Sequence, residues 1–199
     1  HRSLMVEVRS FVVGYVDRLK GAIDQISLER VEAIGETLYR AYRHNKQVFI
    51  VGNGGSAATA SHMACDLGKN TIAPHRQRFR ILSLNDNIPL LSALANDLGY
   101  EHVFSEQLKN LVRPGDVLIS ITASGNSPNI IRAMEYARER GAINVAFLGF
   151  DGGKALTLAD EHVLVPVRDY GIVEDLHMIL DHILTEYFRA RLDAAESIG

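Results

Sequence analysis

The chain has 199 residues, with 47% apolar and 23% charged side chains, which suits one soluble globular domain with a full core. Its formal net charge of -3 gives no support for a nucleic-acid or anionic-membrane surface. A single cysteine, Cys65, excludes an internal disulfide framework, and no apolar run approaches the ~20 residues that span a bilayer, so a cytoplasmic protein is expected.

The opening His1-Arg2-Ser3-Leu4-Met5 lacks the apolar middle of a signal peptide and reads as an added remnant before a native start at Met5. Leu4, Val8, Phe11, Val12, Tyr15, Val16 and Leu19 fall on one stripe of a predicted helix. Ser27 before Leu28-Glu29-Arg30 is a helix N-cap signal, and Val31, Ile34, Leu38 and Tyr42 continue a second stripe. The first helix has no place in a compact α/β unit and is expected to pack against another subunit. Val48-Phe49-Ile50-Val51 then reads as a buried parallel strand, followed by a Gly-rich turn and a helix to about Asn70. Further strands are predicted at 80–84, 117–121, 145–148 and 162–166, with helices at 89–97, 104–112, 130–140 and 171–194. Pro114-Gly115-Asp116 marks a turn, and Gly141 a helix C-terminus. Strands alternating with helices predict an α/β fold: a five-stranded parallel sheet covered on both faces, in one domain spanning 1–199.

Two strand–polar loop–helix units carry the chemistry. Gly52-Asn53-Gly54-Gly55-Ser56 lets the backbone approach a ligand, and the following helix amides with the Ser56 hydroxyl suit an anion. Ser120, Thr122, Ser124 and Ser127 surround Gly125-Asn126, and Pro128 suits a first helical position. Hydroxyls and amides together coordinate phosphate oxygens without a lysine. Glycines also serve turn geometry and hydroxyls also cap helices, so each loop read alone is weak evidence. Neither loop ends in the Gly-Lys-Ser/Thr of a nucleoside triphosphatase, and the spaced dinucleotide glycines are absent. The pattern points to a phosphorylated small molecule.

His62 and Asp66 stand four apart on the first of these helices, as do Glu174, Met178 and His182 on the last. His177 and Asp181 form another such pair on a different face. Converging, His62, Asp66, Glu174 and His182 give two imidazoles and two carboxylates. That set suits Zn²⁺ or another divalent cation, or equally the acid–base pair of a proton-transfer enzyme. A solvated charged helix face is the alternative. Cys65 is expected to be a buried inert thiol, and His44, His75, His102 and His162 are surface or core residues.

Gly52-Asn53-Gly54-Gly55-Ser56 with His62, and Thr122-Ala123-Ser124-Gly125-Asn126-Ser127, resemble the sugar isomerase (SIS) domain. The chain is similar to its phosphoheptose (sedoheptulose 7-phosphate) isomerase branch, including at Asn96-Asp97, Asp151-Gly152-Gly153-Lys154 and Glu174 to Leu184. The resemblance implies a flavodoxin-like, doubly wound three-layer sandwich and a homotetramer with active sites between subunits, which would explain the apolar first helix. It implies aldose–ketose isomerisation of a phosphorylated sugar through an enediol, often with Zn²⁺, at the start of heptose synthesis for the cell envelope.

By position, the resemblance makes Asn53, Gly54, Gly55, Asn96 and Asp97 substrate contacts. Ser124 and Ser127, with Thr122 and Ala123, would hold the phosphate. His62, Asp66, Glu174 and His182 would be the metal and acid–base set, with Asp66 or Glu174 taking the carbon-bound proton and His182 or His62 moving protons on oxygen. Three positions depart from the family pattern: Asp66 stands for Glu, Glu174 for Gln, and Ala123 for a hydroxyl residue. These departures leave two other readings: a non-catalytic phosphosugar-binding or replication-initiator-binding tetramer, or an isomerase of a different sugar phosphate.

Overall fold

The computed structural model describes residues 5–194. Leu4, where the predicted N-terminal stripe begins, and the proposed remnant before Met5 lie outside the described residues. In chain order the elements are α1 (Val8–Ile23), α2 (Leu28–Arg43), β1 (Val48–Gly52), α3 (Gly55–Lys69), β2 (Ile81–Ser83) and α4 (Ile88–Leu98). A 3-10 turn (Tyr100–His102) leads to α5 (Ser105–Leu111), β3 (Val117–Thr122), α6 (Pro128–Glu139) and β4 (Ile143–Gly149). The chain continues through α7 (Gly153–Leu158), β5 (Glu161–Val165) and α8 (Tyr170–Ala194).

All strand pairs are parallel, in the order β2-β1-β3-β4-β5. Side chains alternate across a strand, so each apolar run feeds two layers at once. Val48 and Ile50 of β1, Ile119 of β3 and Phe147 of β4 join one core with Leu38, Met63, Leu67, Leu184 and Phe188. Phe49, Leu118 and Leu148 join the other with Phe104, Leu108, Ile130 and Met134. Helices α2, α3 and α8 therefore cover one face and α5, α6 and α7 the other. This is why β1 reads as an unbroken apolar run and β3 and β4 as nearly continuous ones rather than alternating.

Local signals act where expected. Arg30 N donates to the Ser27 side chain at 3.3 Å, capping α2. Pro128 opens α6, and Gly141 follows that helix with a φ of 78°. Helix α1 is different: only Ala22 is buried, and Val8, Phe11 and Val12 are 78%, 66% and 55% exposed. Its C-terminal half leans on α8, where the Tyr15 hydroxyl donates to Asp175. One expectation fails. Cys65 is exposed, because Met63, Asp66 and Leu67 take the packed side of α3 and turn residue 65 outward.

Candidate active site

The strand order reverses its direction of growth between β1 and β3. After β1 the chain crosses on the α3 face to β2; after β3 it crosses on the α6 face to β4. The loops leaving these neighbouring strands diverge, opening a crevice beyond their carboxyl ends, where ligands of doubly wound sheets bind. A cavity of about 100 Å³ sits there, walled by Asn53, Ser56, Thr122, Ala123, Ser124, Ser127, Tyr170 and Glu174. Two helix N-termini, of α3 and α6, adjoin it and give it the positive character that an anion needs.

The loops are held from behind. Asn53 Nδ2 donates to Asn129 Oδ1 at 2.8 Å, and Asn129 Nδ2 returns a bond to Asn53 Oδ1 at 2.9 Å. Tyr100 also donates to Asn53 Oδ1, at 2.7 Å, so this side chain ties the first loop to α6 and the 3-10 turn. Asn85 clamps Gly52 through both of its backbone polar groups. In the second loop Gly125 N donates to Thr122 Oγ1 at 3.1 Å, and Lys154 N donates to Asn126 Oδ1 at 2.9 Å. Gly125 has a φ of 68°, and a Cβ there would strike the Gly152 carbonyl. The Asp151-Gly152-Gly153-Lys154 segment is thus a brace for the second loop.

Glu174, in the first turns of α8, lies across the start of α3. A Cβ on Gly55 would run into its carboxylate, so the glycine is what lets this acid reach the cavity wall. Asn96 and Asp97 stand exposed at the end of α4, where Asn96 Nδ2 donates to Asp97 Oδ1 at 2.9 Å; neither lines the cavity.

Further along the same two helices, His62 and Asp66 of α3 meet Asp181 and His182 of α8. One ligand atom from each lies within 4.8 Å of the others. His62 Nε2 is 3.1 Å and His182 Nε2 3.7 Å from Asp66 Oδ2, and the two Nε2 atoms are 3.3 Å apart. Asn70 Nδ2 donates to Asp66 Oδ1 at 3.3 Å. Asp181 is wholly buried, and burial together with the adjoining Asp66 carboxylate pushes its acid up to about 8. Two imidazoles and two carboxylates at these separations fit a divalent cation that takes nitrogen and oxygen ligands.

Three of the four residues expected to converge, His62, Asp66 and His182, therefore do so, and the fourth member of the cluster is Asp181. Glu174 occupies the cavity wall instead. Helical spacing pairs Asp181 with His177 on another face, yet adjacent residues 181 and 182 both reach α3 because α8 packs closely against it. The i,i+4 spacing rule has no signal for that. His177 is buried against the sheet, its Nε2 2.9 Å from the Leu148 carbonyl, and burial lowers its pKa to about 4. Tyr170 and Asn129 are further site residues with no sequence pattern of their own; only their positions one turn or less from the expected loops and helix start could have raised them.

The SIS-domain family model matches residues 14–149. The phosphoheptose isomerase of Mycobacterium tuberculosis is 40% identical over 171 residues, 86% of this chain and 87% of that protein. That of Bradyrhizobium sp. is 35% identical over 173 residues, 87% of each chain. Among solved structures, phosphoheptose isomerase GmhA from Neisseria gonorrhoeae superposes with a TM-score of 0.86 at 29% identity, over 92% of this chain and 100% of that one. On sequence and fold alike, the chain belongs to the SIS-domain family, in its phosphoheptose isomerase branch.

Proposed function

We propose that the chain interconverts sedoheptulose 7-phosphate and a heptose 7-phosphate by moving a proton between C1 and C2 through an enediol. The observation that carries this reading is Glu174 on the wall of the cavity between the two hydroxyl-bearing loops. The amides of α3 and α6 with Ser56, Thr122, Ser124 and Ser127 hold the phosphate. Ala123 contributes its backbone only. The sugar's reacting end then faces Glu174, a carboxylate able to take the carbon-bound proton from one carbon and return it to the other. In the metal-free cluster His182, at its exposed edge, moves the proton between the two oxygens, a task it would give up where its Nε2 holds a cation. A positioned acid or base of this kind is worth about 10²–10⁴-fold in rate.

His62, Asp66 and His182 would hold a divalent cation, taken here as Zn²⁺. When bound it would polarise the sugar carbonyl and steady the negative charge of the enediolate.

The same reading includes a homotetramer. Val8, Phe11, Val12 and Val16 of α1 are all exposed in the single chain, and apolar residues grouped in this way mark interaction surfaces. Beside it runs a groove of about 510 Å³ lined by Ile23, Ile26, Leu28, Val31, Ile179 and Ile183. Asn96 and Asp97, which do not line the cavity within one chain, would act through that assembly. Among the described residues no helix is long and apolar enough to cross a membrane. A cytoplasmic site of action supplying envelope heptose belongs to the same proposal.

Incubating the purified chain with sedoheptulose 7-phosphate and following the aldose product by NMR tests the reading. Product formation supports it. Phosphosugar-dependent thermal stabilisation with no product from sedoheptulose 7-phosphate or other ketose phosphates supports the non-catalytic binder instead. Product from a different ketose phosphate alone would reassign the substrate.

A further inference from the structure

Asp181 is the least expected member of the α3–α8 cluster. Its side chain is 0% exposed. Oδ1 accepts a hydrogen bond from Thr185 Oγ1 at 3.3 Å, while Oδ2 is buried with no partner at all. A buried carboxylate oxygen without a partner is expensive, and here a second carboxylate, Asp66, stands beside it. Apolar residues would fill this position between two helices at no such cost. The neighbouring groups offer little relief: His62 and His182 direct Nε2 atoms at each other and at Asp66, not at a distinct acceptor. Four lone-pair-bearing atoms thus converge within 4.8 Å, two of them from carboxyl groups. A divalent cation answers the missing partner.

We propose that Asp181 is a ligand of the cation, completing with His62, Asp66 and His182 a site of two nitrogens and two carboxylate oxygens. This rests on the reading of the cluster as a metal site, and it adds a residue outside the set that the resemblance implies. The second carboxylate matches the charge of a divalent cation within the protein itself. It frees Glu174 to remain a base on the cavity wall. Thr185 acts as the orienting partner, since its hydroxyl fixes Oδ1 and leaves Oδ2 for the ion.

The test uses the full chain, stripped with a chelator and titrated with Zn²⁺ against a chromophoric competitor. Asp181→Asn keeps the shape and removes the charge, while Asp181→Leu tolerates the burial should the amide variant fail to fold. Both should bind Zn²⁺ at least about tenfold more weakly than the wild type. Their metal-free forms should unfold at temperatures equal to or above that of the metal-free wild type, because a buried unpartnered carboxylate has gone. Zn²⁺ affinity within twofold of wild type in either folded variant would overturn the assignment of Asp181 alone. A wild-type chain that takes up no Zn²⁺ would overturn it together with the metal reading. Isomerase turnover by that metal-free chain would still leave the proposed reaction standing.

Discussion

The imidazoles of His62 and His182 meet at 3.3 Å between their Nε2 atoms, although one belongs to the helix after the first strand and the other to the last helix. Packing of α3 against α8 on one face of the sheet creates this meeting. The same packing sets Glu174, two turns earlier on α8, against the start of α3. One helix pair thereby builds both the His/Asp cluster and a wall of the cavity. Replacing His62 by Ala should therefore abolish stoichiometric metal in the purified protein, read by elemental analysis, while leaving the circular dichroism spectrum unchanged. Unaltered metal content would remove His62 from the site.

Glu174→Gln keeps the size of the side chain and removes the base. Turnover should fall by about 10²–10⁴-fold with KM changed far less. A variant that turns over at near-wild-type rate would transfer the proton-abstracting role to Asp66.

Gly55→Ala probes the same acid indirectly. Alanine favours the first turn of α3, so the fold should hold, yet its methyl group meets the Glu174 carboxylate. Displacing a reacting group by about 1 Å can lower rate on the order of 10²-fold. Such a loss in kcat, with an unfolding midpoint at or above that of wild type, is the expected outcome. Full activity would show that Glu174 needs no such approach.

His177 gives a pH signature. Its folded-state pKa lies near 4, below the ordinary histidine value of 6.5, so between these limits the unfolded chain binds more protons than the folded one. Its contribution to stability is complete above pH 6.5 and is lost as pH falls towards 4. Relative to His177→Gln, which keeps a donor for the Leu148 carbonyl, the wild type should lose about 2 kcal/mol between pH 7.5 and pH 5. Urea unfolding at the two pH values measures this, and parallel pH dependences in both proteins would contradict it.

The α1 stripe can be tested by Phe11→Glu combined with Val12→Glu. Both side chains are more than half exposed in a single chain, so the isolated fold should survive. Light scattering should then report monomers or dimers in place of the tetramer expected of the wild type. An unchanged mass would separate α1 from assembly.

The central strands were legible because burial on both faces demands apolar residues, and Val48–Val51 obeys that without interruption while Val117–Ile121 departs from it only at the buried Ser120. The two loops at the crevice were legible as strand-to-helix junctions because the apolar runs stop there at Gly, Asn, Ser and Thr, residues that turn a chain and cap a helix. Asp181 was not, since helical spacing within one element cannot say where a second helix will cross it. Cys65 was misplaced for a related reason: its type favours burial, but the face of α3 that packs is chosen by Met63 and Leu67. The braces Asn85, Tyr100 and Asn129 carry no local pattern, because their partners are distant in the chain and only the folded sheet brings them together.

The most direct measurement is solvent deuterium entry into the sugar phosphate. In D₂O, wild-type protein with sedoheptulose 7-phosphate should yield an aldose 7-phosphate carrying deuterium at C2, and Glu174→Gln should suppress both product and label together. A wild-type chain that binds the sugar phosphate yet leaves every carbon-bound proton unexchanged, metal added or not, would contradict the account.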